Sequence, residues 1–411
     1  MNKNVWIINQ YGSLPSTGMG GRHRHLSREL AKIGHNVTLV AARWTHGTRD
    51  EDAADNAPDL EMFEGFRFLR ISVGKYKHAH DKKRILNWFA FGWRIRNLDK
   101  KLGEYPDVII YSSPSLIPFL SAYRLAKKFN ARLIFEVRDI WPLTLMQLGG
   151  FSPKHPFIRF MQWIEDFAYR KSDHVISNLE GSVEHMKGRG LSEHKFTWIP
   201  NGYSEFELAN EDQGDPEILE ALREQLFSIT YTGAIGEANA LKTLIDAVYL
   251  LKEKSGIHFN IVGRGRLEEG LKITANKLGL KNVHFWGAVP KKYVQSILQA
   301  SDVCVICWRD LELYDYGIAA NKLFDYLYSG RPIINAYSGG YDIVSRYHAG
   351  VTVPAESPES LSEAISELAS VGSENLTEMG SNGARMAREK HEYSMIAATL
   401  NELITPSESA H

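Results

Sequence analysis

The sequence predicts two consecutive doubly wound α/β domains, each built on a mainly parallel sheet with helices on both faces. Three observations carry that expectation. The chain has 411 residues, more than one typical core holds, so two domains of ~200 residues are the natural division. Short apolar runs alternate with amphipathic helical stretches, the pattern of strands buried on both faces. The periodicity lapses in an acidic, polar stretch at 204–216, which reads as an interdomain linker.

The elements follow in order. Residues 5–9 form an apolar run, 10–21 a polar loop, 22–33 a helix closed by Gly34 and His35, and 37–41 the next strand, together one βαβ unit. Strands recur at 66–71, 108–111, 133–137, 175–177 and 196–199. Beyond the linker they are expected at 229–231, 259–262, 283–286, 303–306 and 333–336, with helices at 241–252, 267–278 and 291–299. A last amphipathic helix covers 393–404. The expected domains are 1–203 and 204–391, with 392–411 packing back onto the first. In such sheets ligands collect outside the carboxyl ends of the strands, so the two domains are expected to face each other across a ligand-binding cleft.

Bulk properties exclude several classes. Apolar residues make up 44% and charged residues 24%, the balance of a soluble globular protein. A formal net charge of −1 provides no global attraction for nucleic acid, so none is expected as a partner, and any anion site must come from local clusters. No apolar run approaches the ~18 residues of a spanning helix, and MNKNVWIINQ lacks signal-peptide architecture. Two cysteines argue against an oxidising compartment, so a cytoplasmic location is expected. They are spaced CxxC, Cys304 and Cys307, but within an apolar strand. Side chains three apart on a strand point to opposite faces, so the pair reads as core packing rather than a metal or disulfide site.

Residues 314–335, YDYGIAANKLFDYLYSGRPIIN, carry the strongest chemical signal. A helix is expected over 319–328, with Leu323, Phe324 and Leu327 inward, Gly330 as its left-handed cap and Pro332 preventing continuation. Gly317 precedes it. A glycine-led helix start offers free N–H groups and a positive dipole end to a phosphate, and Asn321 and Lys322 add an amide and a cation. An ordinary αβ unit with glycine punctuation is the plainer alternative. In the first loop, Gly18, Gly20 and Gly21 let backbone N–H groups approach an anion beside Arg22, or simply form a flexible turn. Glu136, Arg138, Asp139 and Trp141 close the 133–137 strand and suit recognition of ligand hydroxyls and charge balance beside an anion, or else a structural Arg–Asp pair. Gly263-Arg-Gly-Arg266 is not a dinucleotide fingerprint. Its third glycine is misplaced, and no acid stands near Val283. Asp50-Glu51-Asp52 has DxD spacing in a polar loop with no strand before it, a solvated charge cluster, so no metal is expected. Residues 75–101 mix many Lys and Arg with Trp88, Phe89, Phe91 and Trp93. That is read as contact with a membrane surface, with a packed helix carrying a basic face as the alternative.

The chain closely resembles the retaining family 4 glycosyltransferases along nearly its whole length. The resemblance is carried by the acid, four residues, Gly-x-Pro pattern from Asp325 to Pro332, by the first loop with the leucine-rich helix, Gly-His and Val-Thr pattern of residues 26–38, and by IPNGYS at 199–204. Arg-Asp-x-Trp-Pro at 138–142 looks like a bacterial subgroup that transfers N-acetylated amino sugars, including fucosamine, in surface-polysaccharide assembly. The resemblance implies the GT-B fold of two Rossmann-like domains. It implies transfer of a sugar from a nucleotide-diphosphate donor, expected to be UDP-linked, to a polyprenyl-linked or saccharide acceptor, with no required cofactor. The implied catalytic residues are Asp139, Lys322 and Asp325. Donor contacts fall to Gly20, Gly21, Arg22, Gly233, Arg264, Gly265, Val289 in the Gly287–Pro290 loop, Gly317, Ile318, Ala319 and Asn321, and acceptor contacts to Glu136, Arg138 and Trp141. Peripheral association with the inner membrane through 75–101 goes with such an acceptor.

The chain departs from the family in two places. Many relatives have an acid eight positions before Asp325, where this chain has Gly317; Asp315 or Glu312 are the candidate substitutes. Many have Gly-Arg after the first strand of the second domain, where this chain has Gly233-Ala234, leaving Lys322 and Arg264 to meet the diphosphate charge. These departures sustain the alternative of a non-catalytic nucleotide-sugar-binding or scaffold subunit. A nucleotide-sugar 2-epimerase would want more titratable groups converging on the sugar.

Overall fold

The computed structural model describes residues 2–18, 20–76, 81–208 and 214–406. The chain divides into two compact units, Met1–Pro200 with Tyr393–His411, and Asn201–Glu392. The first unit therefore ends at Pro200, ahead of the 203/204 boundary read from sequence. The reason is local. Asn201 donates its side-chain amide to the Ala319 carbonyl (2.6 Å), and Tyr203 donates its N–H to the His391 carbonyl (3.0 Å), so residues 201–203 are bonded into the second unit. The stretch read as linker contains a short helix, Glu205–Leu208, and its residues 209–213 lie outside the described part.

The first unit holds an eight-stranded sheet of order β3-β4-β2-β1-β5-β6-β7-β8. Its strands are β1 (Asn4–Ile8), β2 (Asn36–Ala42), β3 (Leu60–Phe63), β4 (Phe66–Ile71), β5 (Val108–Ser112), β6 (Arg132–Val137), β7 (His174–Ser177) and β8 (Phe196–Trp198). All pairs are parallel except β3–β4, which form a hairpin at the sheet edge. Glu64 and Gly65 turn it with φ of 44° and 87°, the positive pair that a two-residue hairpin loop requires. The sequence reading missed β3, because Leu60 and Met62 face solvent and no apolar run marks them. The helix Arg22–Ile33 sends Leu26 and Leu30 into a core with Val5, Ile7, Val37 and Leu39. The C-terminal helix Tyr393–Ile404 joins that core through Ile396, Leu400 and Ile404. His25 stacks on Tyr393 at 4.6 Å, and a His35 ring nitrogen meets the Asn401 side-chain oxygen at 2.7 Å.

The second unit holds a six-stranded parallel sheet of order β11-β10-β9-β12-β13-β14. Its strands are β9 (Phe227–Thr232), β10 (Ile257–Val262), β11 (Val283–Gly287), β12 (Val303–Cys307), β13 (Ile333–Ala336) and β14 (Gly350–Val353). Cys304 and Cys307 are both free and fully buried in β12. Cys307 belongs to the core with Val303 and Val305, while the Cys304 sulfur lies 4.0 Å from the Ser329 hydroxyl. Beyond β13 the sequence reading assigned no elements before residue 393. The structure adds β14 and the helices Pro358–Ser370 and Ser373–Lys390. The first of these starts at a Ser357 cap and buries Leu361, Ile365 and Leu368 with Leu244 and Val248.

Two glycine turns are locked together at the carboxyl ends of β9 and β10. Ile235 donates its N–H to the Arg264 carbonyl and Gly233 to the Val262 carbonyl, which extends the ladder past both strands. A Cβ on Gly263 would lie 1.8 Å from the Gly233 carbonyl oxygen, and one on Gly265 would lie 2.1 Å from that of Ile235. Close backbone approach therefore accounts for both glycines. Gly263→Ala is expected to destabilise the protein by about 2 kcal/mol or more, since the obstacle is backbone rather than a flexible side chain. Gly270, in the helix Glu268–Lys277, has open space where a Cβ would go. Gly270→Ala should leave stability unchanged or raise it by up to ~1 kcal/mol. Urea-unfolding midpoints of the two variants test this, and equal midpoints would refute the packing account.

Candidate active site

The first unit gathers its charged residues where the helix Arg22–Ile33 begins beside the carboxyl ends of β5 and β6. Gly20 and Gly21 have φ of 69° and 87°, which brings the chain into the helix; Met19 lies outside the described residues. Glu136 is fully buried and receives Arg22 Nε at 2.8 Å and a His23 ring nitrogen at 2.7 Å. The same His23 nitrogen lies 2.9 Å from the Ser112 hydroxyl. The Arg22 guanidinium also bonds the carbonyls of Ile199 (2.9 Å) and Pro200. Burial alone would raise the Glu136 carboxyl, but Arg22, His23 and Arg138 outweigh it and hold the group well below the usual carboxylate range. Burial lowers His23 more than Glu136 raises it, so the imidazole is neutral and Arg22 supplies the balancing cation.

Arg22 and Glu136, read from sequence as a donor contact and an acceptor contact, are thus brought together as one buried ion pair. Removing either partner would strand the other's charge, a loss of roughly 3–5 kcal/mol. Arg138 anchors the next loop by donating its N–H to the Ser113 hydroxyl (2.9 Å), and Asp139 beside it is exposed. Trp141 is buried and meets Trp88 edge-on at 5.5 Å, with the Arg84 guanidinium 5.3 Å from its ring centre. His23 was not singled out in the sequence. The only available signal was its position one residue into a glycine-led helix.

Residues 75–101 divide by depth, with 77–80 outside the described residues. The helix Lys83–Ile95 buries Trp88 and Phe91. Arg84 turns inward, donating Nε to the Tyr11 hydroxyl at 2.8 Å and lying over Tyr11, Trp88 and Trp141. Leu86, Phe89 and Trp93 stay exposed on one stripe, Trp93 by 70%. The helix Pro156–Lys171 leaves Phe160 and Trp163 exposed as well, and the two helices meet where Trp88 stacks on Phe157 at 6.3 Å. Asp50 of the DxD-spaced cluster caps the helix Glu51–Asn56 by accepting the Ala53 N–H at 2.8 Å.

In the second unit the stretch read from sequence as a donor motif is a short helix with an uncapped start. The helix runs Asn321–Ser329, and a 3₁₀ turn, Glu312–Tyr316, precedes it. Gly317 follows that turn with φ of 103° and is buried. Asp315 and Glu312 are exposed on the turn, and Asn321 is exposed at the helix start. Ala320 offers no side-chain cap and the first turn holds no acid, so the leading N–H groups keep their capacity for an anion. Ile318 and Ala319 form the half-buried approach, and the Asn201 bond to the Ala319 carbonyl fixes it.

Lys322 reaches from the first turn to the carboxyl end of β9. Its ammonium donates to the Tyr231 hydroxyl (2.8 Å) and the Asn239 side-chain oxygen, and lies 4.4 Å from the centre of the Tyr231 ring and 5.7 Å from that of Trp308. A Cβ on Gly233 would come within 3.3 Å of it, so that glycine leaves the lysine room. None of these partners is a carboxylate, and burial lowers the Lys322 pKa to about 7. Asp325, one turn on, looks elsewhere: Lys291 approaches its carboxylate at 3.9 Å, and burial raises its pKa. Arg264 is exposed beside Gly287, Arg266 pairs with Glu237 at 2.8 Å, and Val289 packs partly buried against Ile218 and Ile297. Tyr231, Asn239 and Trp308 gave no signal in the sequence, since each acts only through the fold that brings it to Lys322.

The lysine makes a signed prediction. Unfolded, Lys322 keeps its proton up to its ordinary pKa near 10.5; folded, it loses it near 7. Between those values the unfolded state binds more protons, so folding is favoured as pH rises. Relative to Lys322→Met, the ligand-free protein should gain stability from pH 7 to about 10, with a flat difference below pH 7. Denaturation at a series of pH values measures this, and parallel profiles would show that the lysine titrates normally.

Residues 17–202 match the model of the glycosyl transferase 4-like domain, and residues 227–370 that of glycosyl transferases group 1. No curated protein matches the sequence. Among solved structures the chain is similar to a sucrose-phosphate synthase from Thermosynechococcus elongatus, with TM-score 0.74, 17% identity and 98% of each chain covered. It is also similar to HepE from Anabaena in complex with UDP and glucose, with TM-score 0.67, 14% identity and 99% of this chain covering 100% of that one. A third is WaaG, a glycosyltransferase involved in lipopolysaccharide biosynthesis, with TM-score 0.67, 16% identity and coverage of 98% and 100%. With an uncapped helix start and a lysine at the carboxyl end of a parallel sheet, in a chain matched over most of its length by these two domains, the protein belongs to the glycosyltransferases of the GT-B fold, with a family 4-like first domain and a group 1 second domain.

Proposed function

We propose that the protein is a retaining transferase that moves an N-acetylated amino sugar from a UDP-linked donor to a lipid-linked saccharide, in bacterial surface-polysaccharide assembly at the inner face of the inner membrane. The observation that carries the donor half is Lys322, a cation without a carboxylate partner in the first turn of an uncapped helix. A diphosphate satisfies both needs: the orphan N–H groups receive its oxygens, and its charge restores the lysine's proton. The UDP and glucose bound in HepE support that donor class, and the role of WaaG in lipopolysaccharide biosynthesis supports the pathway. The Arg-Asp-x-Trp-Pro stretch at 138–142 is the basis for the amino sugar.

Transfer divides into few tasks. The helix start and Lys322, with Arg264 as a second cation, stabilise charge as the sugar–phosphate bond breaks. The departing phosphate, on the same face as the incoming hydroxyl, takes that hydroxyl's proton, so the reaction needs no dedicated base and no metal. Gly20 and Gly21 offer N–H groups in the first loop. Arg22, His23 and Glu136 hold the loop ends of β5 and β6, and Arg138, Asp139 and Trp141 receive the acceptor. Asp325 holds the donor's remaining hydroxyls from the second turn of the helix.

The exposed stripe of Leu86, Phe89 and Trp93, extended by Phe160 and Trp163 and flanked by exposed Lys82, Lys83, Arg94 and Arg159, suits a peripheral contact with an anionic bilayer. Among the described residues no helix is long and apolar enough to cross a membrane.

Two outcomes are expected. Lys322→Ala should lower kcat/KM by roughly 10²–10³-fold, the scale of losing one charge-stabilising group at a transition state, without unfolding the protein. The assay is release of nucleotide diphosphate in EDTA, with a panel of UDP-sugars and membrane extract as acceptor. Wild-type turnover in the variant would remove the lysine from the mechanism, and turnover restored only by Mg²⁺ or Mn²⁺ would remove metal independence. The protein should also float with anionic vesicles at low salt and dissociate as salt rises. Lys82→Glu with Lys83→Glu and Trp93→Ser should abolish flotation while sparing turnover on a soluble acceptor. Arg84 is left intact because its guanidinium supports Tyr11, Trp88 and Trp141. Undiminished flotation would return this segment to ordinary packing.

A further inference from the structure

Lys322 does not hang free from the start of its helix. Its ammonium donates to the Tyr231 hydroxyl at 2.8 Å and to the Asn239 side-chain oxygen. Both of those residues then turn to one acceptor, the Ala234 carbonyl, Tyr231 donating its hydroxyl at 2.7 Å and Asn239 its amide nitrogen at 2.8 Å. The four bonds close a ring that ties the helix Asn321–Ser329 to the turn after β9. The orientation of the amide follows from its partners. An ammonium only donates and a carbonyl only accepts, so the Asn239 oxygen faces Lys322 and its nitrogen faces Ala234.

The backbone fixes Asn239 in that place. It ends the 3₁₀ turn Glu237–Asn239, with its N–H on the Gly236 carbonyl at 3.1 Å. Ala240 follows with φ of 40°, a left-handed conformation that is costly for a residue with a Cβ. Core packing holds it there, since Ala240 and Leu241 are both buried where the helix Leu241–Leu250 begins. A carboxamide also suits the two tasks. Aspartate could not donate to Ala234 and would give the ammonium a countercharge, while serine offers a single atom for both bonds. Glu237, the acid of the same turn, pairs instead with Arg266 at 2.8 Å. The titratable groups near the ammonium are Tyr231 from β9 and Cys307 from β12. Both are neutral because burial pushes them up, the thiol to about 12.

We propose that Asn239 is a positioning residue for the donor: it holds the Lys322 ammonium against the Ala234 turn while supplying no countercharge, so the cation stays available to a diphosphate. The role rests on the donor reading of Lys322, but the contact itself is tested without ligand. The Lys322 amine is titrated by NMR in protein carrying ¹³C-labelled lysine, its signal being the one lost in Lys322→Met. UDP binding is measured by calorimetry at pH 7 on the same samples. Asn239→Asp should raise the Lys322 midpoint by at least about one pH unit, since a carboxylate at hydrogen-bond distance favours the charged amine. Asn239→Ala removes a bond to the charged form and should lower the midpoint by about half a unit. Both should weaken UDP at least roughly fivefold, Asn239→Asp the more, because its carboxylate competes with the diphosphate for the ammonium. A residue that merely braced the turn would shift thermal unfolding and leave the midpoint alone. An unchanged midpoint in either folded variant, or wild-type UDP affinity in either, would therefore overturn the assignment. Should a variant fail to fold, Asn239→Ser replaces it under the criteria for alanine. Absence of UDP binding to wild type would count against the donor reading alone, and the ligand-free titration would then decide whether Asn239 holds the lysine.

Discussion

A parallel strand pair cannot be closed by a tight turn, and most of this molecule follows from that constraint. Each crossover must carry the chain back along the sheet, here usually as a helix, and each strand then opens into its loop on the same edge. The ladder around β1 and that around β9 therefore deliver their polar residues together without any residue being selected for position along the chain. Glu136 leaves β6, Ser112 ends β5, and Gly233 and Gly263 leave β9 and β10. The single exception, the β3–β4 hairpin, sits at the sheet edge.

That shared edge forces charges into buried positions, and the two units resolve this in opposite ways. In the first, the Glu136 carboxylate is compensated within the protein by Arg22, with the neutral His23 as a hydrogen-bond partner, and removing Arg22 or Glu136 would leave the other as an uncompensated charge. In the second, Lys322 is surrounded by a hydroxyl, an amide oxygen and aromatic faces, which satisfy its donors but not its charge. The first arrangement is complete in the protein as it stands. The second leaves a buried ammonium without a countercharge, which an anion would supply.

The same division explains the glycines. Gly265 was expected, from the resemblance, among the donor contacts; it and Gly263 provide clearance for the Gly233–Ile235 backbone. Gly233 in turn leaves space that the Lys322 ammonium enters. A glycine beside a strand end marks close approach, but the identity of the approaching group is a tertiary matter.

The sequence by itself determined the two α/β units, most strands to within a residue, the helix Arg22–Ile33 and the cap at Gly330, because apolar period and glycine or proline chemistry act over a few neighbours. It also placed the helix that starts at Asn321 and its first-turn Lys322, since a helix start and its first-turn lysine are local features. Only the tertiary structure decided the partners. Glu136 stands 114 positions from Arg22, and Lys322 stands 91 positions from Tyr231. It alone turned Arg84 inward, split the aromatic segment into a buried and an exposed face, and closed a cavity between loops that follow β2 and β4. The reason is physical: periodicity reports which face of an element is buried, whereas a pKa, an ion pair or a pocket depends on which other elements the sheet order places beside it.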